Sequence, residues 1–186
     1  GDFAQAKNHF EEKLRLHREA GDRRGEARAY LDSGRLYLNQ GEWEIAEEPL
    51  SLALTIFREM GDRLGEAETL MHLGILHRQK GNLDEAMDDL LTSLRRGRYA
   101  GPAGREKEKF RFGITNKRIT AEAFYQLALV YEDYGNYKKA KTTLHKSETT
   151  LTDIAVTVGD FWELAKINNR SAAFYVRMAQ RVLDKE

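Results

Sequence analysis

The chain has no cysteine among its 186 residues. This excludes a disulfide framework, thiolate zinc ligands and a thiol nucleophile. A net charge is also missing, because 30 Lys and Arg residues balance 30 Asp and Glu residues. The molecule as a whole therefore offers no general electrostatic attraction to nucleic acid or to a membrane surface.

Proline and long apolar runs are scarce as well. The chain has two prolines, and no apolar run approaches the roughly 18–20 residues that a membrane span needs. The first residues show no signal-peptide pattern. We therefore expect a cytoplasmic, all-helical protein. Pro49 falls inside a predicted helix, which we expect it to bend.

The sequence repeats itself with a period of 40 residues. Gly21-Asp22-Arg23-Arg24-Gly25-Glu26-Ala27 returns as Gly61-Asp62-Arg63-Leu64-Gly65-Glu66-Ala67. A fixed period of this length is typical of a solenoid, in which each unit stacks on its neighbours. The same step relates Gly34 to Gly74, Gly41 to Gly81, Ala46 to Ala86 and Leu50 to Leu90.

Each unit contains two apolar stripes with helical spacing, separated by a glycine. The first stripe is Ala27, Tyr30, Leu31, Gly34, Tyr37 and Leu38, and the second is Trp43, Ala46, Leu50, Ala53, Leu54 and Phe57. Gly41 ends the first helix, and Gly61-Asp62 ends the second and caps the next. We expect Gly34 to lie where the two helices cross, so that a larger side chain would overpack the crossing.

This pattern resembles the tetratricopeptide repeat. The residues that carry the resemblance are Tyr30, Gly34, Tyr37, Gly41, Ala46, Leu50 and Ala53 in one unit, Leu70, Leu73, Gly74, His77, Gly81, Ala86 and Leu90 in the next, and Phe124, Leu127, Ala128, Tyr131, Gly135, Tyr137, Ala140 and Leu144 in a third. The resemblance implies an all-α, right-handed α-solenoid of antiparallel helix pairs, with about eight helices. The 40-residue unit is similar to the arrays of Pins-type polarity scaffolds and of bacterial tetratricopeptide regulators.

We expect a single solenoid domain over residues 1–186. It is divided into the second helix of a truncated unit (1–20), two units (22–60 and 62–98), an insertion (99–117), a third unit (118–158) and a terminal or capping helix (160–186). On this reading the chain is a fragment of a longer array.

In the tetratricopeptide family the first helices of successive repeats line a concave groove, which holds an extended peptide or a helix of a partner. The resemblance therefore implies a binding site for a protein or peptide along the first helices. By register, the site residues are Arg28, Arg35, Asn39, Met71, His72, Ile75, Arg78, Tyr125, Leu129, Asn169 and Arg170. The alternative, that neighbouring helices cover the apolar members of this set, stays open.

The insertion is basic. Residues 95–118 contain nine Lys or Arg residues against Glu106 and Glu108, and Phe110 and Phe112 lie among them. Such a segment can bind phosphate groups or an acidic partner, or it can be a solvated loop without a ligand. We expect a solvated loop here. Its candidate binding residues are Arg105, Lys107, Lys109 and Arg111.

Catalytic and metal-binding arrangements are not evident. His72 and His77 are five residues apart, so they do not share a helix face as a metal pair would. We expect His77 to be a packing residue and the acidic cluster from Asp84 to Asp89 to be a solvated helix face. No nucleophile with a base and an orienting group can be identified. We therefore predict no enzyme activity, no cofactor and no metal.

These features favour a non-catalytic protein–protein interaction module. One alternative is a sensor or self-association segment of a larger signalling regulator, with homo-oligomers forming through the exposed solenoid ends. A second alternative is the binding of nucleic acid or an acidic partner through residues 95–118, although the neutral net charge disfavours nucleic acid.

Overall fold

The computed structural model of the chain describes residues 2–98, 106–158, 169–177 and 180. Its helices are α1 (Asp2–Glu19), α2 (Arg23–Gln40), α3 (Trp43–Glu59), α4 (Arg63–Gln79), α5 (Leu83–Arg98), α6 (Glu106–Asp133) and α7 (Tyr137–Val158). Residues 169–177 form a further helical segment, and no strand occurs in the described ranges. The expected all-α fold with about eight helices is confirmed.

The chain divides into two compact units, Gly1–Ala100 and Gly101–Glu186. In the first, α2 packs on α3 and α4 packs on α5, while α1 and α3 pack on the first helix of the following pair. In the second, α6 packs on α7. Short turns join the members of each pair, so the pairs are antiparallel.

The joints between pairs in the first unit have the predicted chemistry. Gly61 has a positive φ of 65°, which a residue without Cβ adopts at no steric cost. The next residue, Asp62, caps α4 because its Oδ1 accepts a hydrogen bond from the Gly65 N–H at 3.1 Å. Asp22 caps α2 in the same way, with the Gly25 N–H at 2.9 Å. The repeated Gly-Asp therefore ends one helix and begins the next.

The crossing of α2 and α3 requires glycine, as the repeat predicts. A Cβ at Gly34 would lie 2.5 Å from Leu50 Cγ and 3.3 Å from the carbonyl oxygen of Ala46. Gly74 occupies the same position in the next pair, where a Cβ would lie 2.6 Å from Leu90 Cγ. These close approaches bury Leu50 and Leu90 completely.

The first unit has an inner and an outer side. The first helices α2 and α4 contact each other directly. Between α1 and α3, or between α3 and α5, the described residues show no sustained packing. The first helices therefore lie on the tighter, inner side, and the second helices are spread apart on the outer side. This arrangement positions the two surfaces considered below.

The expected loop in the basic stretch was wrong over part of its length. Residues 106–117 form the start of α6 and are not the loop that we expected, while residues 99–105, including Arg105, lie outside the described part. Within residues 106–112 the chain combines Glu and Lys, both good helix formers. Pro49 lies inside α3, which continues from Trp43 to Glu59, and the expected bend at Pro49 stays a prediction.

Candidate partner-binding site

Three charged residues form the centre of the surface shared by α2 and α4, which we call the inner face. Arg28 Nη1 lies 2.5 Å from Glu68 Oε2, and Arg35 Nη1 lies 3.9 Å from Glu68 Oε1. The Glu68 side chain is only 12 % exposed, whereas both arginine side chains are about half exposed. One carboxylate is therefore shared by two guanidinium groups, and the inner face has a surplus of positive charge.

The other predicted residues of the inner face differ in exposure. Asn39 is exposed, and His72, Ile75 and Arg78 are half-buried. Met71 is 5 % exposed, so its side chain belongs to the core of the first unit. The structure thus brings these residues to one side of α2 and α4, but it leaves Ile75 as the apolar side chain that a ligand can reach.

In the second unit, the predicted residues Tyr125 and Arg170 bind each other. The guanidinium carbon of Arg170 lies 3.9 Å from the centre of the Tyr125 ring. Its two Nη atoms also donate to the two carboxylate oxygens of Glu122, both at 3.0 Å. Burial would lower the pKa of Arg170, but the bonds to Glu122 raise it above its ordinary value. This cluster stabilises the packing of residues 169–177 on α6.

Two more predicted residues flank that cluster. Leu129 is 8 % exposed and packs with Phe174 in the core of the second unit. Asn169 is exposed. Leu129 and Met71 are buried, which agrees with the alternative that neighbouring helices cover the apolar members of the predicted set.

Buried glutamates at the helix joints are a feature that sequence reasoning missed. Glu26 is 7 % exposed and accepts hydrogen bonds from Arg18 at 3.0 Å and from Arg23 at 2.7 Å. Burial alone would raise the pKa of Glu26, but the two arginines lower it below its ordinary value. The sequence held a signal for this arrangement, because the same Arg and Glu return 40 residues later as Arg58 and Glu66.

The pair Arg58 and Glu66 repeats that joint. Arg58 Nε lies 3.2 Å from Glu66 Oε1, and Arg96 Nε approaches the same oxygen at 3.1 Å. Arg96 belongs to the basic stretch of residues 95–118. Its charge is therefore balanced inside the first unit.

His77 and Asp89 form a polar contact between α4 and α5. His77 Nδ1 lies 2.7 Å from Asp89 Oδ2, and both side chains are only about one-fifth exposed. Burial raises the pKa of Asp89, against the opposing effect of His77. We expected Asp89 to belong to a solvated acidic helix face. This was wrong for Asp89, because its side chain is largely buried next to His77. His77 packs at the predicted position, and it also carries a hydrogen bond.

Two models of the family described as tetratricopeptide repeat match the chain, one over residues 67–98 and the other over residues 121–148. The first match covers most of α4 and α5, and the second covers parts of α6 and α7. The chain contains tetratricopeptide repeats. No curated protein matches the chain.

Tetratricopeptide repeats generally mediate contacts between proteins and are typically non-catalytic. Among the described residues, no three His, Asp or Glu side chains come together as a metal site would require. None of the helices, over the same residues, has the length and apolar character needed to cross a membrane.

The basic stretch contributes less free charge than its composition indicates. Lys117 Nζ forms a salt bridge with Asp153 Oδ2 of α7. The side chains of Lys107, Lys109 and Arg111 lie outside the described residues, although their backbone belongs to α6. Binding of an acidic ligand by this stretch of the tetratricopeptide-repeat protein stays a prediction.

Proposed function

We propose that this tetratricopeptide-repeat protein is a non-catalytic interaction module, and that it holds a peptide or helix of a partner protein on the inner face. The observation that carries the proposal is the sharing of Glu68 by Arg28 and Arg35. Within the described residues, Glu68 is the one carboxylate in ion-pair range of Arg35, and it is 3.9 Å away. Arg35 therefore retains donors for an incoming carboxylate.

The chemistry of the inner face defines the partner. Two half-exposed guanidinium groups favour a carboxylate, which an arginine can bind with two parallel hydrogen bonds. Ile75 lies one helical turn beyond His72 and offers apolar contact area. We therefore expect a segment that places an acidic residue against Arg35 and an apolar residue near Ile75, in an extended or helical conformation.

The second unit supports a weaker role for its own predicted residues. A ligand that used Arg170 would have to replace both hydrogen bonds to Glu122 and the stacking on Tyr125. Replacing these partly buried charge-assisted hydrogen bonds is costly. We therefore expect the first unit to provide the main binding energy. A cytoplasmic location also stays part of this proposal.

Site-specific photo-crosslinking tests the inner face. The variant Asn39→p-benzoylphenylalanine places the crosslinker on the inner face, and Asp88→p-benzoylphenylalanine places it on an exposed position of α5, away from both the inner face and the cleft described below. We expect a crosslinked partner protein from position 39 and not from position 88. Adding Arg35→Glu to the first variant should abolish that crosslink, because the charge reversal repels an acidic segment.

A matched charge reversal provides the control. Arg95 is exposed on α5 and hydrogen-bonds only to Thr92 among the described residues. Arg95→Glu should therefore leave the crosslink from position 39 intact. Loss of the crosslink with Arg95→Glu as well, or its survival with Arg35→Glu, would contradict a site at the inner face. A crosslink to a second copy of this chain would favour the self-association alternative. Met71→Glu is a poor test, because it would place a charge in the core.

A further inference from the structure

A cleft of about 290 Å³ opens on the outer side of the first unit, between α1 and α3, with α2 as its floor. Tyr30, Ser33 and Tyr37 of α2 line it. On a helix these positions point away from those of Arg28 and Arg35, since each residue adds 100° of rotation. The outer cleft is therefore separate from the inner face of the proposed function.

The walls of the outer cleft are apolar and reach the surface. Ile45 is 49 % exposed and Leu52 is 38 % exposed, and they lie seven residues apart on the same side of α3. Leu14 of α1 faces them across the cleft, and Pro49 lies between them. A single exposed apolar side chain is ordinary, but exposed apolar side chains that border one cleft mark a place for contact.

The next repeat shows why the cleft is open here. Forty residues on, Ser33 is replaced by Leu73, which is 6 % exposed and packs in the core of the first unit. Ala29 is likewise replaced by the larger Thr69. Ser33 and Ala29 of α2 thus occupy less space than the corresponding side chains of α4.

The charges around the outer cleft have one sign. Glu11 of α1 and Glu48 of α3 line it, and none of the lining residues is Lys or Arg. Glu48 forms no ion pair within the part of the chain that the structure describes. Arg18, which donates to the hydroxyl of the lining residue Tyr30, is itself paired with Glu26. Glu48 at the rim of the cleft therefore favours a positively charged group on a ligand.

We propose that the outer cleft is a second docking site, which takes one apolar side chain of a partner protein segment while Glu48 binds an adjacent Lys or Arg of the same segment. The cleft has the size of the smallest ligand sites in proteins, so it suits a side chain rather than a cofactor. Its charge is opposite to that of the inner face. The two surfaces thus select different segments, one basic and one acidic.

Methyl NMR of the full chain, labelled at Ile and Leu, tests the outer cleft. The probe is the tripeptide acetyl-Arg-Phe-Arg-amide, and the matched controls are acetyl-Glu-Phe-Glu-amide and acetyl-Arg-Gly-Arg-amide. We expect the Arg-Phe-Arg probe to shift the Ile45 and Leu52 methyl signals saturably and to leave those of the buried Leu90 unchanged. The Arg-Gly-Arg control lacks the phenyl ring and should bind more than about tenfold more weakly than the Arg-Phe-Arg probe, because the apolar contact is lost.

Two variants locate the site. Ser33→Leu copies the residue of the next repeat, so it should fold, fill the cleft and remove the saturable shifts. Glu48→Gln leaves the cleft open and should weaken binding of the Arg-Phe-Arg probe about threefold to fivefold. Binding that is unchanged by Glu48→Gln, or equal for the Glu-Phe-Glu control, would overturn the proposal, and so would an absence of saturable shifts. Shifts that depend on protein concentration alone would replace the proposed partner with a second copy of the chain.

Discussion

At the scale of single residues, the contact between Gly34 and Leu50 limits how far apart α2 and α3 can lie at their crossing. Gly34→Ala would place a Cβ 2.5 Å from Leu50 Cγ and 3.3 Å from the Ala46 carbonyl oxygen, so α2 and α3 would have to move apart. We expect a loss of roughly 1–3 kcal/mol in the free energy of unfolding. The measurement is urea-induced unfolding followed by far-ultraviolet circular dichroism.

Gly113 is the matched control for that substitution. It also lies in a helix, but a Cβ there would meet no heavy atom within 4 Å beyond the adjoining backbone of its own helix. Gly113→Ala should therefore raise the free energy of unfolding by about 0.5–1 kcal/mol, through helix propensity alone. If both substitutions changed stability in the same direction, the tight crossing would not be the cause.

The buried carboxylate of Glu26 makes stability depend on pH. Its pKa in the folded chain is lowered below 4.5, so its ion pairs stabilise the fold above that pH and are lost as the pH falls through the lowered pKa. Glu26→Gln should lower the free energy of unfolding by roughly 1–3 kcal/mol at neutral pH. The difference from the wild type should narrow at acidic pH, where Glu26 is also uncharged.

Urea midpoints measured on both sides of pH 4.5 test this expectation. The control is Glu59→Gln, because Glu59 binds the same Arg23 at 2.7 Å but has a side chain that is 58 % exposed. Exposed ion pairs contribute little, so this control should have a small effect at any pH. A Glu26→Gln effect of the same size at all pH values would show that packing, and not charge, is responsible.

At the scale of helices, the capping aspartates determine where each pair begins. Asp62→Ala removes the acceptor for the Gly65 N–H and should lower the free energy of unfolding by about 1 kcal/mol. Asp62 also binds Arg24 Nη2 at 2.7 Å. Asp62→Asn separates the two effects, since the amide oxygen can still cap α4 while the ion pair is lost. Thermal unfolding should therefore order the variants as wild type, Asn and Ala, and an Asn variant as unstable as the Ala variant would contradict the cap.

The sequence predicted those features of the helices that depend on neighbours in the chain. The repeated Gly-Asp predicted the end of one helix and the cap of the next, and the small Gly34 predicted the close crossing. The early start of α6 was not predicted. Gly101-Pro102 predicts a helix break, and we expected the loop to continue beyond it, although the good helix formers Glu and Lys follow within a few residues. The contact of His77 with Asp89 depends on how α4 packs against α5. No spacing within one helix reveals such a contact.

The candidate surfaces were predictable to different degrees for the same reason. The register correctly assigned Arg28 and Arg35 to one side of α2, since helical periodicity alone determines this. It could not show that Met71 is covered, because burial depends on the neighbouring helices. Predicting the outer cleft requires knowing which side chain is too small to fill the space around it. The replacement of Ser33 by Leu73 one period later was visible, but its meaning required the packed structure.

At the scale of the whole molecule, the division into Gly1–Ala100 and Gly101–Glu186 predicts that stability is local. In repeat proteins stability is approximately a sum of terms from each repeat and its immediate neighbours. A substitution in the core of one unit should therefore loosen that unit and spare the other. Amide hydrogen exchange, read by mass spectrometry, reports such local opening segment by segment.

Gly34→Ala and Leu144→Ala form the pair of variants for this test. Gly34 lies in the core of the first unit, and Leu144 is 1 % exposed in the core of the second, where its truncation should cost about 2–5 kcal/mol. We expect Gly34→Ala to accelerate exchange in α2, α3 and the adjoining α4 while α6 and α7 keep their wild-type rates. Leu144→Ala should do the reverse. Exchange that rises uniformly with either variant would mean that the two units unfold as one cooperative body, since opening of one would then require opening of the other.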